Sequence, residues 1–342
     1  MSQSLNTSRI DRINILLLIG SCFFAFIIPF ELFLFAYAIL GPLHYLTEIS
    51  WLHDKNYYAT DKRDVILLLV ISLFLAIIYL FFKLNVDALA AYIDLQNLAK
   101  VQGHLIFIAF GSSLFFTFIK KPLIKWIGVG CLLVLTIVSN YLLAFFTIFL
   151  PTLVHVFLFT SIFMLYGSLK SKSKMGFLSV ALHLICPFLL FYLFPSKSAS
   201  SSQAIDTFMN SDFAGLNQYL YKTFFFTNDG SLTQDGFIGM VRNSKYGIAI
   251  MRFISFAYLY HYLNWFSKTE VIRWHQVPKQ RFMIVIGAWV VSVVLYLIDY
   301  KLGFQWLYLL SFMHVLLEFP LNFKSFAGIF QELGLKPKMA AS

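Results

Sequence analysis

Of the 342 residues in this chain, 59% are apolar, 19% aromatic and only 12% charged, against about 25% charged in an ordinary soluble domain. That balance excludes a soluble globular protein, and since no stretch beyond about 50 residues lacks a membrane-length apolar run, it leaves no room for a separate soluble domain. The net charge of +10 does not point to nucleic acid, because Lys and Arg fall in short clusters between apolar runs, the pattern of cytoplasmic loops.

Apolar runs occupy residues 15–41, 65–82, 102–119, 123–141, 145–168, 176–194, 247–266, 282–299 and 304–322. They predict an all-α polytopic membrane bundle of about nine transmembrane helices, or eight to ten if one segment is re-entrant, as a single membrane domain over 1–342. The first run is too long for a signal-peptide core and lacks a small-residue cleavage site, so it reads as a retained helix with no cleaved presequence. Between 123 and 168 only Asn140 and Pro151 interrupt the oil after Lys125, so that turn falls somewhere from 139 to 152.

Residues 196–246 stand apart as an extramembrane loop. It opens on SKSASSS and continues with Ile205, Phe208, Phe213, Leu216, Leu220 and Phe224, whose spacings of three and four predict an amphipathic helix on the outer membrane surface. Asn228-Asp229-Gly230 reads as a turn near its end. A solvated cap is the plainer reading of this loop and a substrate lid the sharper one.

Lys120, Lys121 and Lys125, then Lys170, Lys172 and Lys174, then Lys268, Arg273, Lys279 and Arg281, and last Lys324, Lys336 and Lys338 predict four cytoplasmic loops. Strict alternation through nine helices satisfies all four groups and puts the N-terminus outside, despite Arg9 and Arg12. Short loops and the lack of an organelle address point to a bacterial inner membrane. Cys22, Cys131 and Cys186 lie inside apolar runs without CxxC spacing, which argues against a disulfide framework or thiolate metal knuckle and for plain helix packing.

Ionisable groups at membrane depth are costly and mark function by default. Nearly all of the eight histidines, His44, His53, His104, His155, His183, His261, His275 and His314, lie in or at the edge of predicted helices. Gly41-Pro42 breaks the first run, and His44 and Glu48 then share a helix face four residues apart. His314 and Glu318 repeat that spacing just before Pro320. Imidazole plus carboxylate suits zinc or non-haem iron, and two such pairs on facing helices make a closed bundle site. The competing reading is a pair of buried His/Glu hydrogen bonds that lock helices together.

Under this topology His44, Glu48, His53, His261, His275, His314 and Glu318 fall in the cytoplasmic half. They predict one metal site there, with His155 and His183 nearer mid-bilayer as its floor, or as satisfied core histidines, and His104 at the opposite face as a structural residue. Asn264 is placed to orient an imidazole, while Trp265 and Trp274 read as interfacial anchors. Glu31, two residues after Pro29, reads as a buried hydrogen-bonding carboxylate or a proton relay. The chain has no GxSxG, Walker loop, GxGxxG or HExxH, and no two histidines lie closer than nine residues, which excludes the clustered boxes of membrane desaturases.

At Gly41-Pro42-Leu43-His44-Tyr45-Leu46-Thr47-Glu48 the sequence resembles the opening motif of the Brp/Blh family of membrane β-carotene dioxygenases. Pro42 stands one place earlier than in the family motif, Tyr45 replaces its glycine and Glu48 its aspartate. The resemblance implies a non-haem iron held by histidines in a helical bundle, oxidising a hydrophobic polyene with molecular oxygen, with His44 a ligand and His261 and His314 among those completing the set. Two functions follow as expectations. One is a histidine-ligated metal oxygenase, with iron or alternatively zinc or another divalent ion, acting on a lipid or polyene that enters from the bilayer. The other is a transporter using intramembrane His and Glu for metal-ion or proton translocation.

Overall fold

The structure, a computed structural model, describes residues 2–83, 95–138, 145–192, 198–225, 236, 239 and 242–335. The described residues form no strand. In chain order the helices are α1 Ser2–Ile27, α2 Pro29–Asp54, α3 Lys62–Lys83, α4 Leu95–Phe118, α5 Pro122–Val138, α6 Phe145–Ser171, α7 Lys174–Tyr192, α8 Ser202–Met209, α9 Ala214–Phe224, α10 Lys245–Ser267, α11 Lys279–Ile298 and α12 Tyr300–Glu332. Eight of them, α1 to α4, α6, α7, α11 and α12, are long and apolar enough to cross a membrane. Their outward faces carry large apolar side chains such as Leu16, Phe74, Phe188, Ile284 and Leu297, a surface that only a hydrocarbon solvent accommodates over such an extent. The chain is an all-α integral membrane protein. The expected turn between the fourth and fifth runs falls partly at 139–144, and Asn228-Asp229-Gly230 falls wholly at 226–235, outside the described residues.

The chain divides into two compact units, one made of Met1–His44, Gly167–Arg273 and Val290–Phe304, the other of Tyr45–Tyr166, Trp274–Trp289 and Gln305–Ser342. In the first unit, α10 is the core. It is buried over most of Gly247 to Trp265, and its Arg252, His261, Asn264 and tyrosines dilute its hydropathy and keep it out of those eight. A helix that is apolar or aromatic on nearly every side has to be surrounded.

The first apolar run differs from its expected single helix. Pro29 has no N–H to continue the ladder, and Ile28 leaves the helical region at φ −128° and ψ 58°. Asn14 of α1 accepts from Ser267 of α10 at 2.8 Å, while Arg252 Nε donates to the Phe26 carbonyl at 2.9 Å. α1 therefore runs antiparallel to α10. α2 runs parallel to it, with Phe33 against Tyr258 and His44 against Trp265. The run is thus a hairpin that turns at Ile28-Pro29. Glu31 consequently sits beside that turn, not at mid-membrane, and its Oε1 accepts from the Ser201 backbone N–H at 2.6 Å.

The hairpin also changes the reading of the N-terminus. Asp11 accepts a hydrogen bond from Ser173 and its carbonyl lies 3.4 Å from Ser179 Oγ, so Arg9 and Arg12 share an end with Lys170, Lys172 and Lys174. The positive-inside rule then places all five on one side, and the tension noted for Arg9 and Arg12 disappears. The amphipathic segment forms α8 and α9, which turn Phe208, Phe213 and Leu220 inward. Phe208 meets Phe30 and Phe33, and Phe213 meets Tyr37 at 4.4 Å between ring centroids.

The second unit packs α3, α4, α5, α6 and α12 around a core that includes Leu68, Leu75, Ala109, Phe116, Phe159 and Leu316. Phe110 of α4 lies edge-on to Phe319 of α12 at 5.2 Å. Gly328 of α12 has no room for a Cβ beside the Tyr166 ring of α6. Lys125, expected among free loop cations, points inward instead. Its Nζ donates to Asp64 Oδ2 at 2.5 Å and to Thr60 Oγ1 at 2.9 Å, and the two charged side chains are only 3% and 1% exposed. The pair ties α5 to the start of α3. Removing one partner of such a buried pair costs about 3–5 kcal/mol, whereas replacing both with apolar groups of similar size can be neutral. Asp64→Ala is expected to lower the thermal unfolding midpoint in detergent sharply, and Asp64→Leu combined with Lys125→Met to recover most of the loss.

Candidate functional site

Two buried histidine pairs form the centre of interest, one in each unit. In the first unit His44 of α2 and His261 of α10 are 1% and 7% exposed, and their Nε2 atoms lie 3.0 Å apart. Two features of the sequence put them there. Pro42 in the first turn of the Gly41–Asp54 segment fixes where His44 emerges, and five residues of π-helix at Ala36–Leu40 precede it. A π-turn inserts one residue into the helical register and re-aims the side chains that follow, which is why such turns concentrate at functional positions. The His44 ring is walled by Tyr262 at 5.2 Å and Trp265 at 5.4 Å.

In the second unit His155 of α6 and His314 of α12 are 1% and 2% exposed, again with Nε2 atoms 3.0 Å apart. His155 lies inside a long π-helical stretch, Phe145–Phe159, that contains Pro151. Its second ring nitrogen, Nδ1, is 3.0 Å from Glu318 Oε2, a carboxylate that is 2% exposed. Glu318 thus reaches across to His155 on another helix. The Tyr45 ring stacks on His314, 4.0 Å between centroids and 21° from parallel.

Chemically, both pairs present imidazole nitrogens to each other in apolar surroundings. Two nitrogens each about 2.1 Å from one ion and at right angles are separated by about 3 Å, so either pair has the spacing of neighbouring ligands on a single metal. An N–H···N hydrogen bond between two neutral rings has about the same length. A metal and that bond compete for the same nitrogens. Glu318 Oε2 lies against His155 Nδ1 while Nε2 faces His314, the relative placement of the groups in carboxylate–histidine–metal sites.

The other expected site residues divide cleanly. Glu48, 2% exposed, lies one turn beyond His44 on α2, and Asn264, 7% exposed, lies three residues beyond His261 on α10. His183 of α7 is wholly buried, but its ring is set against Phe256 and Tyr260 at 5.7 and 5.1 Å. His53 is 62% exposed and pairs with Asp54 at 3.3 Å. His275 is exposed in the turn before α11, beside Trp274. Glu31 is engaged by Ser201, as described above. Sequence reasoning assigned Trp265, and Tyr262 with it, to the membrane interface and gave Tyr45 no part in the site. Helical spacing was the missed signal for Trp265, since residues 261 and 265 share a face.

The chain was compared with known protein families, with curated proteins and with solved structures, and nothing matches it in any of the three.

Glu318 lies 3.0 Å from the Nδ1 of a fully enclosed ring, and truncating it takes a polar neighbour from that buried nitrogen, at a cost of about 1–3 kcal/mol. Glu318→Ala is expected to destabilise the protein by that amount in thermal unfolding, and Glu318→Gln, which keeps an acceptor oxygen, by clearly less.

Proposed function

We propose that this chain is a membrane-embedded metal oxygenase or oxidase that uses histidine-held non-haem iron and acts on a hydrophobic lipid or polyene substrate. The observation that carries the reading is the pairing of His44 with His261 and of His155 with His314, each at 3.0 Å between Nε2 atoms. Isolated neutral imidazoles gain little from such depth, while ionisable groups inside membrane helices generally serve function. The Brp/Blh-like stretch around His44 supports the same chemistry, with dioxygen as co-substrate.

When bound, iron with imidazole ligands and open positions supplies dioxygen activation. The side chains have more limited tasks. Glu318 holds His155 in one tautomer. Tyr45, Tyr262 and Trp265 lie against the imidazole faces and edges, restrict ring rotation and exclude water. The apolar helix flanks suit a substrate that arrives through the bilayer rather than from water. His261 lies toward the end of α10 that continues into Lys268 and Arg273, which supports a cytoplasmic-half site in a bacterial inner membrane.

Metal analysis of detergent-purified protein after chelator washing tests this reading. Near-stoichiometric iron is expected in the parent, with loss in His44→Ala and His314→Ala. Glu318→Gln is expected to weaken metal affinity about 10–100-fold, the usual effect of removing a carboxylate behind a ligating histidine. Unchanged metal content in both alanine variants overturns the ligand assignment. Rapid exchange of the ion during washing overturns the oxygenase reading in favour of transport.

A further inference from the structure

α12 carries a row of buried polar side chains on one face. At 3.6 residues per turn His314, Glu318, Asn322 and Ser325 fall within about 80° of one another, and each is 2% exposed or less. The first two belong to the candidate site, while Asn322 and Ser325 have no part in it. Both Nδ2 and Oδ1 of Asn322 are buried, and neither has a hydrogen-bond partner among the described residues. A carboxamide offers two donors and an acceptor with two lone pairs, and leaving such a group unpaired in apolar surroundings costs about 1–3 kcal/mol. Pro320, between Glu318 and Asn322, has no N–H to give to the Leu316 carbonyl one turn back. In membrane helices, backbone groups released by proline are satisfied by neighbouring side chains and ordered waters. The row is also short: Glu318 to Ser325 covers about 10 Å of helix. Lys324, beside Ser325, is exposed and holds its Nζ 5.1 Å from the ring of Tyr58 in the connection between α2 and α3, so Ser325 lies level with the surface loops. Lys125 reaches Thr60 in the same connection, and the basic residues of this end mark it as cytoplasmic.

We infer that Asn322 and Ser325 line an internal water path that leads from the cytoplasmic surface to the Glu318 carboxylate. Water is the ligand whose chemistry matches: it donates and accepts hydrogen bonds as the amide does, it is neutral, and it is small enough to lie between packed helices. A buried water typically makes about three hydrogen bonds to polar groups the protein leaves unpaired. The Asn322 amide, the Glu318 carboxylate one turn away and the Leu316 carbonyl that Pro320 does not serve supply that many partners. Leu317 and Phe319, on other faces of α12, are wholly buried apolar side chains, which confines the path to the polar face. It stops at Glu318, whose Oε2 lies against His155 Nδ1, so the paired rings behind it stay dry. The path rests on the oxygenase reading only for its use, the supply of protons that dioxygen chemistry draws from the cytoplasm.

The test uses the full chain in detergent, washed free of metal, in a cysteine-free background made by Cys22→Ala, Cys131→Ala and Cys186→Ala. Silver ion in chloride-free buffer is the probe, since it is close to water in size and binds thiolates. After timed exposure the protein is denatured, and the thiol still open to N-ethylmaleimide is measured by mass spectrometry. A thiol beside water ionises and reacts, whereas one in apolar surroundings is inert, so Asn322→Cys and Ser325→Cys are expected to be blocked at least about tenfold faster than Leu317→Cys and Phe319→Cys. Those two controls are as deeply buried but face away from the row. Ser325→Cys exchanges a single atom, so it carries the test if Asn322→Cys fails to fold. Blocking at position 325 no faster than at 317 and 319, or at 322 in a folded variant, overturns the inference. Bound metal takes no part in either result, so a failure here is distinct from a failure of the oxygenase reading.

Discussion

An imidazole buried among membrane helices has two ring nitrogens and no water to satisfy them, and every feature of the candidate site follows from how this chain meets that requirement. Four histidines meet it in pairs, His44 with His261 and His155 with His314, through nitrogens 3.0 Å apart. The irregularities of the helices serve the same end. Five π-helical residues lead into Gly41 before His44, and fifteen π-helical residues contain His155. Such turns give up regular i→i+4 bonding, a cost that persists where the re-aimed side chain matters.

The membrane class was legible from composition alone, because hydrocarbon permits only structures that satisfy their own backbone. The four histidines that the structure buries in pairs were also legible as a set, since they lie in apolar runs. Their partners were not. Spacing suggested His44 with Glu48 and His314 with Glu318, because helical periodicity reveals only neighbours on one helix. In the structure the Nε2 of each of these four rings faces the Nε2 of a histidine from a distant part of the chain, and Glu318 reaches His155 on another helix. Tertiary pairing of this kind leaves no periodic trace.

The same limit explains the first apolar run. Hydropathy averages across a sharp turn, so a hairpin and a single long helix look alike until the contacts of Asn14 and Phe26 with α10 separate them. Pro29 was the local sign. Lys125 is similar: its place in a basic cluster suggested a free loop cation, while burial against Asp64 depends on a helix 61 residues away. Charges near helix ends can hold helices together as readily as they set orientation.

The central claim is that the buried nitrogens of the histidine pairs hold a metal rather than only each other. X-ray absorption at the iron edge of the purified, detergent-solubilised protein addresses it most directly. The account predicts an imidazole-type nitrogen shell about 2.0–2.1 Å from the metal, diminished in His44→Ala or His155→Ala. Protein that carries no iron at all, or iron whose surroundings show no imidazole and do not respond to either substitution, would contradict it.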